Sequence, residues 1–216
     1  MGGASPSAQN VGGANRFAVD LCVVNASNRR NGRLTVLGLD PAASGPTGYA
    51  VIESDGRCCR VVHYGARRIA AKRLRESAGA GLQDVHTLIE RLLEEFHPDA
   101  MAVESVFTAL NMRTALRLAE VRGVVLLAAA QRGVPVHSYS PREVKASVAG
   151  YGHATKEQIQ VMVRALLGMR ETPQPADAAD ALAVALCHIY AEQARARWGV
   201  LPRSVTRPGD ARAQIP

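Results

Sequence analysis

The sequence of 216 residues contains no run of about 18 uninterrupted apolar residues, so no transmembrane helix is expected. It has no CxxC pair and no Cys/His spacing that suits zinc. Its four cysteines, Cys22, Cys58, Cys59 and Cys187, read as buried thiols of a reducing compartment. Adjacent in a strand, Cys58 and Cys59 would point to opposite faces. The short apolar stretch from Phe17 to Val24 is broken by Asp20 and too poorly flanked for a secretory signal. There is no internal repeat. Lysine is scarce, with 3 residues against 23 arginines. An arginine surface can hold phosphates in bidentate fashion, but GC-rich coding raises Arg, Ala, Gly and Val together and is the simpler reading.

What is present is an ordinary globular composition, with 47% hydrophobic and 21% charged residues. The length suits one domain with tails and permits a core that needs neither disulfide nor structural metal. A net charge of +7 invites a nucleic-acid partner. Its distribution weakens that inference: residues 1–33 and 191–216 carry +3 each, whereas 34–190 hold 17 basic and 16 acidic residues. Residues 1–33 read as a disordered or mis-assigned extension, with an organellar transit peptide as a lesser reading. Residues 34–195 read as the domain, and 196–216, with Pro202, Pro208 and Pro216 among arginines, as a disordered basic tail.

Between the tails, strand and helix patterns alternate. Leu34 to Asp40 is a short apolar run before a Pro/Gly loop, and Gly48 to Glu53 is a second strand. Ser54-Asp55-Gly56 turns it into a third, from Cys58 to Tyr64 or as far as Ile69. Leu82, Val85, Ile89, Leu92, Leu93 and Phe96 have helical spacing, and Pro98 ends that helix. A short strand, 101–104, precedes a long helix over 111–131. Val134 to Tyr139 is a fifth strand. Pro141 suits the first position of a short helix, and Thr155 with Gln158 forms a capping box for the next, to about Leu167. A last helix spans about Asp177 to Ala194. This order predicts an α/β fold with a mixed sheet.

Four acids stand where strands end or a helix begins. Asp40 closes the first strand and Glu104 the fourth; Asp177 and Asp180, three residues apart, share one face of the last helix. Each alone has a structural reading as turn residue or helix cap, although SVF after Glu104 contains no turn residue to explain that acid. Ligands gather at the carboxyl ends of strands in α/β sheets. Four converging carboxylates would repel one another unless divalent cations neutralised them. Hard carboxylate oxygens suit Mg²⁺ or Mn²⁺, and a two-metal site serves phosphodiester cleavage.

The runs VLGLDP…TGYAVIE, HPDAMAVESVF, RGVVLLAAAQRGVPV, PREVKASVAGYGHATKEQIQ and PQPADAADALAVALCH resemble, in order over about 34–190, the RuvC family of Holliday-junction resolvases. The resemblance implies an RNase H-like fold, with a five-stranded mixed sheet flanked by helices. It implies a homodimer that nicks four-way DNA junctions in pairs, leaving 5′-phosphate ends, in recombination and repair. Asp40, Glu104, Asp177 and Asp180 match the family's catalytic, metal-binding acids, with two Mg²⁺ per subunit implied and Mn²⁺ as a substitute. Phe107 matches an aromatic that can stack on a base, and Lys145 and Lys156 match lysines near the DNA backbone. The implied partners are RuvA and RuvB, and the implied location is the bacterial cytoplasm. One departure concerns the loop after the first strand. Ala42 replaces the family's usual glycine and the loop is a residue longer, so its turn is expected to form around Gly45.

Two basic runs flank an acidic one: 57–75 has seven basic residues and no acid, 76–104 seven acids and one base, and 105–164 eight bases and three acids. That pattern suits a backbone-tracking surface beside an acidic site. Thr108, Asn111 and Arg113 suit a polar DNA-facing loop near Phe107. A cation at Lys156, in a first helical turn, opposes the helix dipole and so points toward a phosphate or the site. Along the long helix, Ala115, Leu118, Ala119 and Gly123 permit close helix approach, as in a two-fold interface. Three other readings compete: a silent junction-binding module, motivated by the altered loop; a nuclease of the same fold acting on structured RNA; and an actin-like ATPase. The last needs two domains and a second glycine-rich phosphate loop, which 157 residues cannot hold.

Overall fold

The computed structural model describes residues 32–42, 45–68, 79–105 and 112–198. Five strands are formed: β1 Leu34–Asp40, β2 Pro46–Ser54, β3 Cys59–Arg68, β4 Ala100–Glu104 and β5 Val136–Tyr139. The helices are α1 Ala80–Phe96, α2 Met112–Gln131, α3 Pro141–Ala149, α4 Lys156–Leu166 and α5 Ala176–Trp198. The expected mixed sheet is present, in the order β3-β2-β1-β4-β5. β1, β2 and β3 form an antiparallel meander, whereas β4 and β5 add in parallel through helical crossovers.

Local chemistry explains the boundaries. At the β2–β3 turn, Asp55 Oδ1 accepts from the backbone N–H groups of Arg57 and Cys58, and Gly56 takes a φ of 88°. α1 stops at His97, which is left-handed and donates its N–H to the Leu93 carbonyl. Capping boxes open α3 (Ser140 with Glu143) and α4 (Thr155 with Gln158). One expected boundary is corrected. α5 runs four residues beyond Ala194, with Arg195 and Arg197 in its last turn complementing the dipole, so residues 196–198 are helix rather than tail. The turn expected around Gly45 runs through residues 43 and 44, which lie outside the described residues; Gly45 itself takes no positive φ.

The sheet separates two hydrophobic cores. Leu37, Leu39, Val51, Met101 and Val103 pack on one face with Val85, Ile89, Val121 and Val125 of α1 and α2. Val36, Ala50, Ile52 and Ala102 pack on the other with α3, α4 and α5. Cys187 is buried there, and burial pushes its thiol up to about 11. Cys58, by contrast, is exposed and Cys59 half-buried, because β3 lies at the sheet edge; Cys22 lies outside the described residues.

α5 crosses the second face at backbone contact. Every residue from Ala178 to Ile189 is buried except Asp180. Alanines at 178, 179, 181, 183 and 185 keep the helix thin, and glycines opposite leave room for it. A methyl on Gly38 would be driven into the Ala181 carbonyl and would lie 2.8 Å from the Ala185 side chain; one on Gly48 would strike the Asp177 carbonyl. Further along α5, His188 Nδ1 meets the Tyr139 hydroxyl at 2.8 Å and its ring lies 4.4 Å from that of His137, fixing the helix to β5. Overpacking a tight core typically costs 1–3 kcal/mol. Gly38→Ala is therefore expected to lower urea-unfolding stability by about 2–3 kcal/mol. Gly79→Ala, where a methyl meets nothing within 4 Å, should leave the midpoint in place.

Candidate active site

Strand alternation decides where the first two acids point. In β1, Leu37 and Leu39 face α1 and α2, so Val36, Gly38 and Asp40 face α5. In β4, Met101 and Val103 face α1 and α2, so Ala102 and Glu104 face α5. The parallel register Gly38↔Ala102 and Leu39↔Val103 sets Asp40 and Glu104 side by side. On its other flank Asp40 pairs with Gly48 of β2. Asp177 and Asp180 lie in the first turns of α5, whose start rests on Gly48. Gly48 thus holds the gap between the strand-borne and helix-borne acids. Its site in a strand, where glycine otherwise weakens pairing, is the sequence signal that would have found it.

The four acids act on one another. Burial raises the Asp40 carboxyl to about 8, and the charges of Glu104, Asp180 and Asp177 push in the same direction. Burial also raises Glu104, which accepts a hydrogen bond from the Asp40 carboxyl. One proton is therefore held between these two acids. Asp180 is neutralised differently: Lys156 Nζ donates to its Oδ2 at 2.6 Å. Lys145, half-buried in α3, opposes the rise at Glu104 through its charge.

The donor set suits a hard divalent cation, since all four side chains offer carboxylate oxygen. Among the described residues, no three His, Cys, Asp or Glu side chains close around one point. Asp40, Glu104, Asp177, Asp180, Lys145 and Lys156 are gathered at one end of the sheet. Arg113 lies exposed in the first turn of α2, next to the segment carrying Phe107, which lies outside the described residues, as do Thr108 and Asn111.

The model of the family described as "Crossover junction endodeoxyribonuclease RuvC" matches residues 36–188. The chain belongs to the RuvC family. A RuvC of Halothermothrix orenii is 41% identical over 166 residues, covering 77% of this chain and 98% of that protein. One of Geobacter sulfurreducens is 47% identical over 155 residues, covering 72% and 92%. Among solved structures, Thermus thermophilus RuvC superposes with a TM-score of 0.68 at 36% identity, covering 74% of this chain and 97% of that one. The same RuvC in complex with Holliday junction substrate gives 0.69, covering 76% and 98%. The yeast mitochondrial resolvase Ydc2, at 15% identity and a TM-score of 0.53, shares the fold alone. The fold is RNase H-like, as RuvC membership implied.

The Asp40 proton links this site to stability. Folded Asp40 holds its proton up to about pH 8, against an ordinary value of 3.8. Between those values the folded chain binds more protons than the unfolded one, so metal-free stability falls as pH rises. Asp40→Asn removes the titrating group. In EDTA, it should melt several degrees above wild type at pH 8, and the gain should vanish by pH 4. A difference independent of pH would contradict this account.

Proposed function

We propose that this chain is a structure-selective endonuclease that resolves four-way DNA junctions by paired nicking, with Asp40, Glu104, Asp177 and Asp180 holding divalent metal. The supporting observation is the set of four acids, two at strand ends on the face toward α5 and two in the first turns of α5, in a chain of the RuvC family. Glu104 and Asp40 would bind from the strands, Asp180 and Asp177 from the helix. When bound, two Mg²⁺ ions, or Mn²⁺ in their place, supply Lewis-acid stabilisation of the phosphoryl oxygens and activation of a water. Hydrolysis forms a water oxygen–phosphorus bond, breaks the bond to the 3′ oxygen and leaves a 5′-phosphate that a ligase can seal.

The remaining residues address DNA. Arg67 and Arg68 are exposed on β3, opposite Thr47 and Pro46 and thus at the Asp40 end of the sheet. They, Lys145 and Lys156 would contact backbone phosphates; Arg113 would do so beside Phe107, which would stack on an unpaired base. Such contacts give salt-dependent affinity without sequence reading. RuvA and RuvB as partners and a bacterial cytoplasmic location rest on the family; the domain limits become 34–198 with the longer last helix. No helix among the described residues is long and apolar enough to cross a membrane.

A homodimer is supported by α2. Its buried side, Val121, Val125, Ala128 and Ala129, packs on the core, while Met112 and Leu116 are 75% and 58% exposed and Leu127 is 54% exposed. Ala115, Ala119 and Gly123 are exposed with them, so small residues alternate with large ones along one apolar stripe. A second copy would bury that stripe and place two equal sites about a two-fold axis. Leu116→Glu with Leu127→Glu is expected to convert a dimer into a monomer by sedimentation, with the fold retained by circular dichroism.

The activity is tested on synthetic junctions. With Mg²⁺, wild type should place paired nicks with 5′-phosphate ends. Asp40→Asn should lose more than about 100-fold, beyond the cost of removing a mere outer partner of a metal ligand. Equal activity in both proteins would refute the site. Junction binding in Ca²⁺ without cleavage in Mg²⁺ or Mn²⁺ would indicate the silent module, and preferential cleavage of RNA hairpins the RNA nuclease.

A further inference from the structure

Lys156 stands in an unfavourable place for its charge. It occupies the first position of α4, where the helix dipole repels a cation. The start of α4 cannot shift to relieve this, because the capping box is closed in both directions: Thr155 Oγ1 accepts from the Gln158 N–H at 3.3 Å, and Gln158 Oε1 accepts from the Thr155 N–H at 2.8 Å. The Tyr151 hydroxyl adds a third bond to the same Gln158 oxygen at 2.7 Å. From this fixed base the lysine stem reaches α5 and places its ammonium on Asp180. The lysine side chain is half-exposed at 50%, that of Asp180 only 25%. The lysine can therefore swing into solvent, whereas Asp180 is held by a helix seated on the sheet.

We infer that Lys156 is a resident counter-ion of the acidic cluster, which a divalent cation must displace from Asp180, so that this lysine sets how readily the site takes up metal. The inference rests on the metal-site reading above and adds a competition to it. An ammonium and a hard dication seek the same carboxylate oxygen. While the ammonium holds Asp180, that acid is withheld from Asp40 and Glu104, in keeping with the absence, among the described residues, of any three such side chains around one point. Once displaced, the half-exposed ammonium remains tethered beside the acids, within reach of a phosphate that enters the site. A phosphate that captures it would free Asp180, and by linkage bound DNA and bound metal would favour one another. The lysine thus disfavours metal uptake by free protein and favours it in the complex.

The test measures Mn²⁺ uptake by the full chain without DNA, from the electron paramagnetic resonance signal of free Mn²⁺, at pH 7.5 and fixed ionic strength. Lys156→Met is expected to bind Mn²⁺ at least about fivefold more tightly, as removal of a cation in direct contact with a ligand requires. Lys156→Arg, which retains a charge able to reach Asp180, should stay within about twofold of wild type. Arg164→Met removes the same charge two turns along α4 and should also change affinity less than about twofold, because screening weakens charges at that distance. Unchanged or weaker Mn²⁺ binding by Lys156→Met, in a protein whose melting temperature matches wild type, overturns the inference. So does equal tightening in Arg164→Met, which would show a general charge effect. If wild type and every variant take up no Mn²⁺, the metal-site reading falls as well, and that outcome is distinct from uptake that ignores residue 156.

Discussion

The contact of α5 with β1 and β2 is the constraint on which the rest depends. Two glycines and a run of alanines let backbone meet backbone, and the helix is buried along nearly its whole middle. A helix held this way has little freedom to slide or tilt, since core packing leaves no room to absorb the movement. The acids at its start are therefore presented to Asp40 and Glu104 at a separation that backbone geometry sets, rather than flexible side chains.

That rigidity has an electrostatic cost. Asp40 is buried among like charges, and the folded chain responds by keeping a proton where an ordinary aspartate would have lost it. Asp180 instead receives the Lys156 ammonium. The protein thus satisfies the cluster with one proton and one lysine, both of which can leave. Strain of this kind is common where a site is built for a charged ligand, and other parts of the structure must supply the stability that it withholds.

Much of this was legible in the sequence, for identifiable reasons. The limits of β1, the Thr155–Gln158 capping box and the mixed sheet followed from apolar runs, Thr-x-x-Gln spacing and the order of elements, whereas the Ser140–Glu143 box was read only as a proline at the first helical position. The four acids stood out because each interrupted or ended an apolar segment. Strand ends proved harder: β2 extends two residues before its expected start, since Pro46 and Thr47 pair with Arg68 and Arg67 across the sheet, a partnership that no local pattern reveals. Gly48 was read as part of a motif, while its contact with the Asp177 carbonyl depends on a helix more than 120 residues away in the chain. The link between Lys156 and Asp180 was half visible, in a cation at an electrostatically poor helical position whose partner only the tertiary fold supplies.

The sheet that divides the two cores also divides the tasks of the molecule. One face carries α5 and the acids; the other carries α1 and α2, whose outward stripe is the proposed meeting surface of two copies. A substitution in that stripe lies on the side of the sheet away from α5, and five strands of hydrogen-bonded backbone lie between it and the carboxylates. The sheet acts as a stiff partition, across which changes in assembly reach the chemistry as movement of a whole body rather than as local distortion. Surfaces so insulated can diverge at different rates within one family, with the pairing face free to drift while the acidic face is held.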